Sequence, residues 1–160
     1  MRTALVIAAG VQSIEALGVS SIPPNARVES FVPFQLVLPY VDVFVTNGGF
    51  GGVHYALANG VPIVIGGATE DKPEVANRVV RAGVGINLKT NRPTAEQLRA
   101  AVKEVLGTAG YRQHARRLQT ELAQHDAPTE SAMLIEQLAA TRQPVVTPVR
   151  AGHNASVETT

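Results

Sequence analysis

Apolar residues along this chain change their rhythm once. Between Thr3 and Leu88 they come in short continuous runs, and from Thr94 onward they recur at helical intervals. Residues 3–9 (Thr-Ala-Leu-Val-Ile-Ala-Ala) form an uninterrupted apolar run closed by Gly10, as expected of a strand buried on both faces. Residues 11–19 predict a short helix, which Pro23-Pro24-Asn25 breaks. Residues 27–32 alternate weakly and predict a second strand stopped by Pro33. An apolar turn or short helix over residues 34–39 leads to a third strand at 42–46. Residues 62–67 are another buried strand, opening into a polar loop through Lys72. The next helix carries Pro73 near its first turn and turns Val75, Val79 and Val80 inward, and residues 84–88 make the last strand.

Thr94 to Gln97 fits a capping box, Leu98, Ala101, Val102 and Val105 form a buried stripe, and Gly107 ends that helix. Tyr111, Ala115, Leu118 and Leu122 mark a second helix whose stripe is core, and residues 128–139 a third. Residues 142–160 lack periodicity and are expected to be a flexible tail, leaving residues 1–141 as one domain. Strands alternating with helices imply an α/β fold with a doubly wound, Rossmann-like parallel sheet and extra carboxy-terminal helices. Ligands of such sheets bind beyond the carboxyl ends of the strands, which selects residues 31–35, 47–52 and 66–72.

Composition narrows the classes. A chain of 160 residues, 45% hydrophobic and 17% charged, suits one globular domain. A formal net charge of +1, with Lys and Arg spread along the chain, gives no footprint for nucleic acid. Without cysteine there is neither a disulfide framework nor a thiolate metal site, and without a signal-like segment a cytoplasmic setting is expected. No apolar run has the length of a membrane span. His114, His125 and His153 fall at no metal-ligand spacing, and Ser13 and Ser30 have no recognisable His partner for a triad. A dinucleotide fingerprint needs three glycines after the first strand, where Gly10 stands alone.

The chemistry concentrates where the β-branched run Val43-Phe44-Val45-Thr46 meets Asn47-Gly48-Gly49-Phe50-Gly51-Gly52 and then Val53, Ala56 and Leu57 at helical spacing. Glycine keeps no side chain between an anion and the N–H groups at a helix start, where the dipole is positive. The plain alternative is a tight strand-to-helix turn that tolerates glycine. Asp71 and Lys72 put an acid and a base in the third loop, with Asp71 alternatively a helix cap. Glu70 and Glu74 are expected to be solvated, and His54 to lie on the surface. A phosphate cradle beside hydroxyl-reading groups suits a nucleotide or a nucleotide-linked sugar.

The order Phe31-x-Pro33, Val45-Thr46-Asn47-Gly48-Gly49-Phe50-Gly51-Gly52, Ala58-Asn59-Gly60-Val61-Pro62, Asp71-Lys72-Pro73 and Gly83-Val84-Gly85 resembles the donor-binding half of the family-one nucleotide-sugar glycosyltransferases. These include UDP-glycosyltransferases and bacterial enzymes that glycosylate macrolides and other natural products. The resemblance implies a GT-B enzyme of two Rossmann-like halves. It transfers a hexose from a UDP- or TDP-sugar to a hydroxylated small molecule with inversion, and needs no metal or cofactor beyond the donor. It places Phe31 at the nucleobase, Asn47 with the amides of Gly49, Phe50, Gly51 and Gly52 at the diphosphate, and Asp71 with Lys72 at the sugar hydroxyls.

This chain departs from the family at four positions. Asn47 replaces a His, Tyr55 a Glu assigned to the ribose, Lys72 a Gln, and Phe31 a Trp of the plant members. Asn47 donates a hydrogen bond but brings no charge. The resemblance places the family's general base, a His, in an amino-terminal acceptor half, so the expectation is that these 160 residues hold no catalytic residue of their own. The expectation is a fragment or excised domain that binds donor weakly and transfers little, with an exposed apolar face available for self-association. A non-catalytic nucleotide-binding or regulatory module of the same fold is the other reading.

Overall fold

The computed structural model describes residues 4–10, 18 and 21–145. By contact the chain divides into two compact units, Met1–Leu122 and Ala123–Thr160. The first is α/β with parallel strands throughout. Strand β1 (Leu5–Ala8) pairs with β2 (Ala26–Glu29), Leu5 opposite Ala26. A separate ladder runs β3 (Phe44–Thr46), β4 (Ile63–Ile65), β5 (Gly85–Asn87), with Phe44 opposite Ile63 and Ile63 opposite Gly85. Helix α1 (Phe34–Val37) and a 3-10 turn (Leu38–Tyr40) precede β3. Helices α2 (Phe50–Ala58) and α3 (Lys72–Arg81) carry the two crossovers of the second ladder, and α4 (Ala95–Gly107) and α5 (Ala109–Leu122) follow β5.

Strand β4 shows why the sheet is covered on both sides. Its residues Ile63, Val64 and Ile65 are all fully buried, and successive side chains leave a strand in opposite directions. Ile63 and Ile65 enter the cluster built with Val53 and Ala56 of α2, Val75, Ala76 and Val79 of α3, and Ala115 of α5. Val64 enters the opposite cluster, with Ala101 and Val105 of α4. Each buried valine or isoleucine side chain among them contributes about 1.5–3 kcal/mol by leaving water. The capping box forms as its spacing predicts: Thr94 Oγ1 accepts from the Gln97 N–H at 3.2 Å and Gln97 Oε1 from the Thr94 N–H at 2.9 Å.

Arg112 ties α5 to the chain entering β3 and leaving α2. Its guanidinium donates to the carbonyls of Asp42 (2.7 Å), Val41 (3.3 Å) and Gly60 (3.4 Å), and to the Asp42 carboxylate (3.2 Å). Only a planar fork reaches so many acceptors at once. Arg112→Ala should therefore lower the unfolding free energy by about 1–3 kcal/mol, with Lys restoring little. Urea denaturation with an unchanged midpoint would contradict the tether.

Three expectations are corrected. The run over residues 3–9 is a strand, but not a buried one: Leu5 and Val6 are 49% and 50% exposed. Strand β1 has a partner on one side only, and its other edge carries no strand among the described residues. Val80 does not join the inner face of α3. It lies five residues from Val75, half a turn away, and Ala76 takes the inward position. Phe50, Gly51 and Gly52 are not loop; they form the first turn of α2. The helix expected over residues 11–19 lies, Gly18 apart, outside the described residues, as do residues 146–160 of the expected tail. In the second unit, α6 (Ala127–Thr141) is capped by Asp126, whose carboxylate accepts from the Thr129 N–H at 3.4 Å and also from the Thr129 hydroxyl at 2.7 Å.

Candidate functional site

Between Thr46, the end of β3, and Phe50, the start of α2, the chain has three residues in which to leave the sheet and begin a helix. Gly48 makes that turn at φ +88°, and a Cβ there would lie 2.7 Å from Ile65 Cγ2. Thr46 Oγ1 accepts the Gly48 N–H and Asn47 Oδ1 the Gly49 N–H, both at 3.2 Å. Gly49 occupies the cap position without a side chain to offer, and the Val53 N–H returns to its carbonyl at 3.1 Å. The N–H groups of Phe50, Gly51 and Gly52 precede the first intrahelical bond, and none of the hydrogen bonds among the described residues uses them. They gather at the positive end of a helix whose first turn holds no acidic residue.

A Cβ on Gly51 would meet nothing within 4 Å. The protein itself does not require glycine at this helical position, where alanine would favour the helix.

The loop after β4 is fastened alongside. The Gly66 N–H donates to the Thr46 carbonyl at 2.9 Å. Gly67 passes so close to Asn47 that a Cβ would stand 1.8 Å from its carbonyl oxygen. Asn91 Oδ1 accepts the Ala68 N–H at 2.6 Å, from 23 residues further along the chain. Asp71 is at the cap position of α3, its carbonyl accepting from the N–H groups of Glu74 and Val75, while its carboxylate makes no capping bond. Lys72 lays its stem across both turns, its Cβ 3.8 Å from where a Gly48 Cβ would be and its Cδ 3.1 Å from that of Gly67. Its ammonium pairs with the Glu70 carboxylate, and that bond holds the Glu70 pKa below the ordinary value.

Asn47, Gly49, Phe50, Gly51, Gly52, Asp71 and Lys72 thus lie on two adjoining loops and the helix starts they feed. Phe31 sits in the loop after β2, 76% exposed. That loop leads into Phe34, whose ring meets Phe44 of β3 edge-on at 5.4 Å and Tyr55 of α2 at 6.2 Å. His54 is a surface residue as expected, stacked on Phe50 at 6.1 Å. Glu74 is exposed and paired with Arg78 at 3.1 Å. Glu70 is 75% exposed, as expected of a solvated residue, and its carboxylate also pairs with Lys72. Asn91 was invisible from sequence, because it belongs to a polar turn and acts across the fold.

Two hollows of about 570 and 560 Å³ lie elsewhere, the first along α6 and the second beside Asn77, Asn87 and Tyr111. Neither is lined by residues of the glycine turn. Among the described residues no cluster of His, Asp and Glu could hold a metal ion, and no helix is long and apolar enough to cross a membrane.

Parallel strands with helices on both faces, and a glycine turn where the central strands end, define a Rossmann-like α/β domain, and the solved structures that share it are GT-B glycosyltransferases. The glycosyltransferase VinC, solved in complex with DTDP, shares this fold at a TM-score of 0.78 over 88% of this chain and 35% of that one, with 23% identity. The chain belongs to the family described as erythromycin biosynthesis protein CIII-like, C-terminal domain, which matches residues 3–138. It is 48% identical over 122 residues to 4'-demethylrebeccamycin synthase of Lentzea aerocolonigenes, covering 76% of this chain and 29% of that protein. To UDP-glucosyltransferase A1 of Starmerella bombicola it is 42% identical over 118 residues, covering 74% and 26%. The chain therefore spans under a third of the length of these curated relatives. The resemblance carried by the motifs between Phe31 and Gly85 is borne out.

Proposed function

We propose that residues 1–141 are the donor-binding part of an enzyme that transfers a hexose from a UDP- or TDP-sugar to a hydroxylated small-molecule acceptor, with inversion at the anomeric carbon. The observation that carries this reading is the set of three unengaged N–H groups around a glycine that the fold does not need. A departing nucleoside diphosphate gains negative charge, and preoriented N–H groups at a helix start stabilise charge where it develops. Asn47 keeps its side-chain NH₂ as a further donor, since its oxygen already serves Gly49. The Asp71 carboxylate is available to accept from sugar hydroxyls, and the exposed Phe31 ring offers a face for the base. With helix amides and Lys72 supplying countercharge, the proposal includes no metal or cofactor beyond the donor.

Transfer also requires a base for the acceptor hydroxyl. None of the residues assembled at this site is assigned that task, so the proposed chain binds nucleotide and does not transfer by itself. A UDP relative and a fold neighbour solved with DTDP support both nucleotides as probes. Isothermal titration should show binding of UDP or TDP at millimolar concentration, and absence of binding to both contradicts the proposal.

The departures at Asn47 and Tyr55 favour a second reading, a nucleotide-binding regulatory module. The natural reading frame separates the two. An upstream domain of roughly 200 residues with a His near its start is the enzyme's arrangement.

A further inference from the structure

We propose that Lys72 recognises the diphosphate of the bound donor and that Glu70 is its resident counter-ion, holding the ammonium in the donor-free chain and giving it up when the donor enters. The inference rests on the donor-site reading above and adds a charged specificity element to it.

The stem of Lys72 is committed and its end is not. Its side chain is only 13% exposed and lies along Gly48 and Gly67, so its course past the glycine turn is set by backbone on both sides. As the first residue of α3, Lys72 puts a cation at the positive end of that helix, an unfavourable place without an anion beside it. Its stem also packs on Gly48, two residues before the unengaged N–H groups that open α2. Positive charge from two helix starts and one ammonium therefore meets around these turns. Of the nearby carboxylates, Glu74 is paired with Arg78 and Asp71 makes no capping bond, which leaves Glu70 as the ammonium's partner.

Glu70 is suited to a temporary role. It holds a left-handed backbone at φ +59°, a conformation costly for a residue with a side chain, and its side chain is 75% exposed, so burial does not retain it. An ion pair whose acidic partner is this exposed to water holds weakly. A diphosphate offers the same ammonium more charge and several acceptor oxygens, and charge-assisted bonds of that kind are among the stronger ones.

The test is titration of the full chain with UDP and TDP, with uridine and thymidine as uncharged controls, for wild type, Lys72→Gln, Glu70→Gln and the double variant. Lys72→Gln should weaken the diphosphates about tenfold and leave the nucleosides unchanged. Glu70→Gln, on an exposed loop and without effect on folding, should tighten the diphosphates about two- to fivefold, and that gain should vanish in the double variant. UDP-glucuronate separates the other anionic source: a Lys72 effect seen with it but not with UDP means the ammonium reads a sugar carboxylate, and overturns the assignment. Wild-type affinity in Lys72→Gln, or weaker binding in Glu70→Gln, overturns the inference while the donor site stands. Failure of wild type to bind UDP and TDP overturns the site and this inference together.

Discussion

Replacing Gly51 by leucine leaves the chain folded and weakens nucleotide binding at least about tenfold. The two halves of that expectation come from one measurement. A Cβ added at Gly51 meets no heavy atom within 4 Å, so the branch point of a side chain there displaces nothing in the protein. Gly51 lies in the first turn of α2, and glycine within a helix is less favourable than leucine or alanine by roughly 0.5–1 kcal/mol. The variant should melt at the same temperature or slightly higher. A leucine side chain beside the N–H groups of Phe50, Gly51 and Gly52 crowds the approach of a ligand to them, so affinity for UDP or TDP should fall at least about tenfold, or some 1.4 kcal/mol. Equal affinity in the variant removes the helix start from the proposed function. A collapse of the melting temperature means Gly51 is structural.

Gly67→Ala should do the reverse and destabilise the fold itself. The added methyl would stand 1.8 Å from the Asn47 carbonyl oxygen and 2.8 Å from its carbon, both backbone atoms that no rotamer change can move aside. Relief requires the loops after β3 and β4 to part, against the Gly66 N–H bond to Thr46 and the Ala68 N–H bond to Asn91. The expected loss is about 3 kcal/mol or more, at the upper end of ordinary overpacking. Thermal or urea unfolding measures it, and a variant within about 0.5 kcal/mol of wild type would show that the two turns are not in contact. One glycine is thus fixed by the protein and the other is left over for something outside it.

Where local rules suffice, the sequence was legible. Ile63-Val64-Ile65 is apolar without a break and is the fully buried central strand of its ladder. Thr94 and Gln97 stand at capping-box spacing and form the box. The glycine run after Thr46 predicts strand, turn and helix, and differs only in that α2 starts one turn sooner, at Phe50. Long-range facts were not legible. Leu5-Val6-Ile7 has the composition of a buried parallel strand, but burial depends on what lies beside a strand, and β1 has a described partner on one edge only. Such an edge is a template for pairing with another chain.

The inner face of α3 was misjudged at Val80 because alanine is as buriable as valine, and helical phase favours Ala76. At the site, the residues named from motifs sit on the predicted loops and the helix starts that follow them, while their supports were hidden. Asn91 bonds across 23 residues to Ala68, and Glu70, whose backbone is left-handed, pairs with Lys72.

The account stands on the unengaged N–H groups that open α2. Amide-resolved NMR of the ¹⁵N-labelled chain, titrated with UDP and then TDP, interrogates them one by one. The largest shifts should fall on the amides of Phe50, Gly51 and Gly52, with the Gly48 and Gly49 amides, already bonded to Thr46 and Asn47, moving less. Saturable nucleotide binding that leaves those three resonances in place would contradict it.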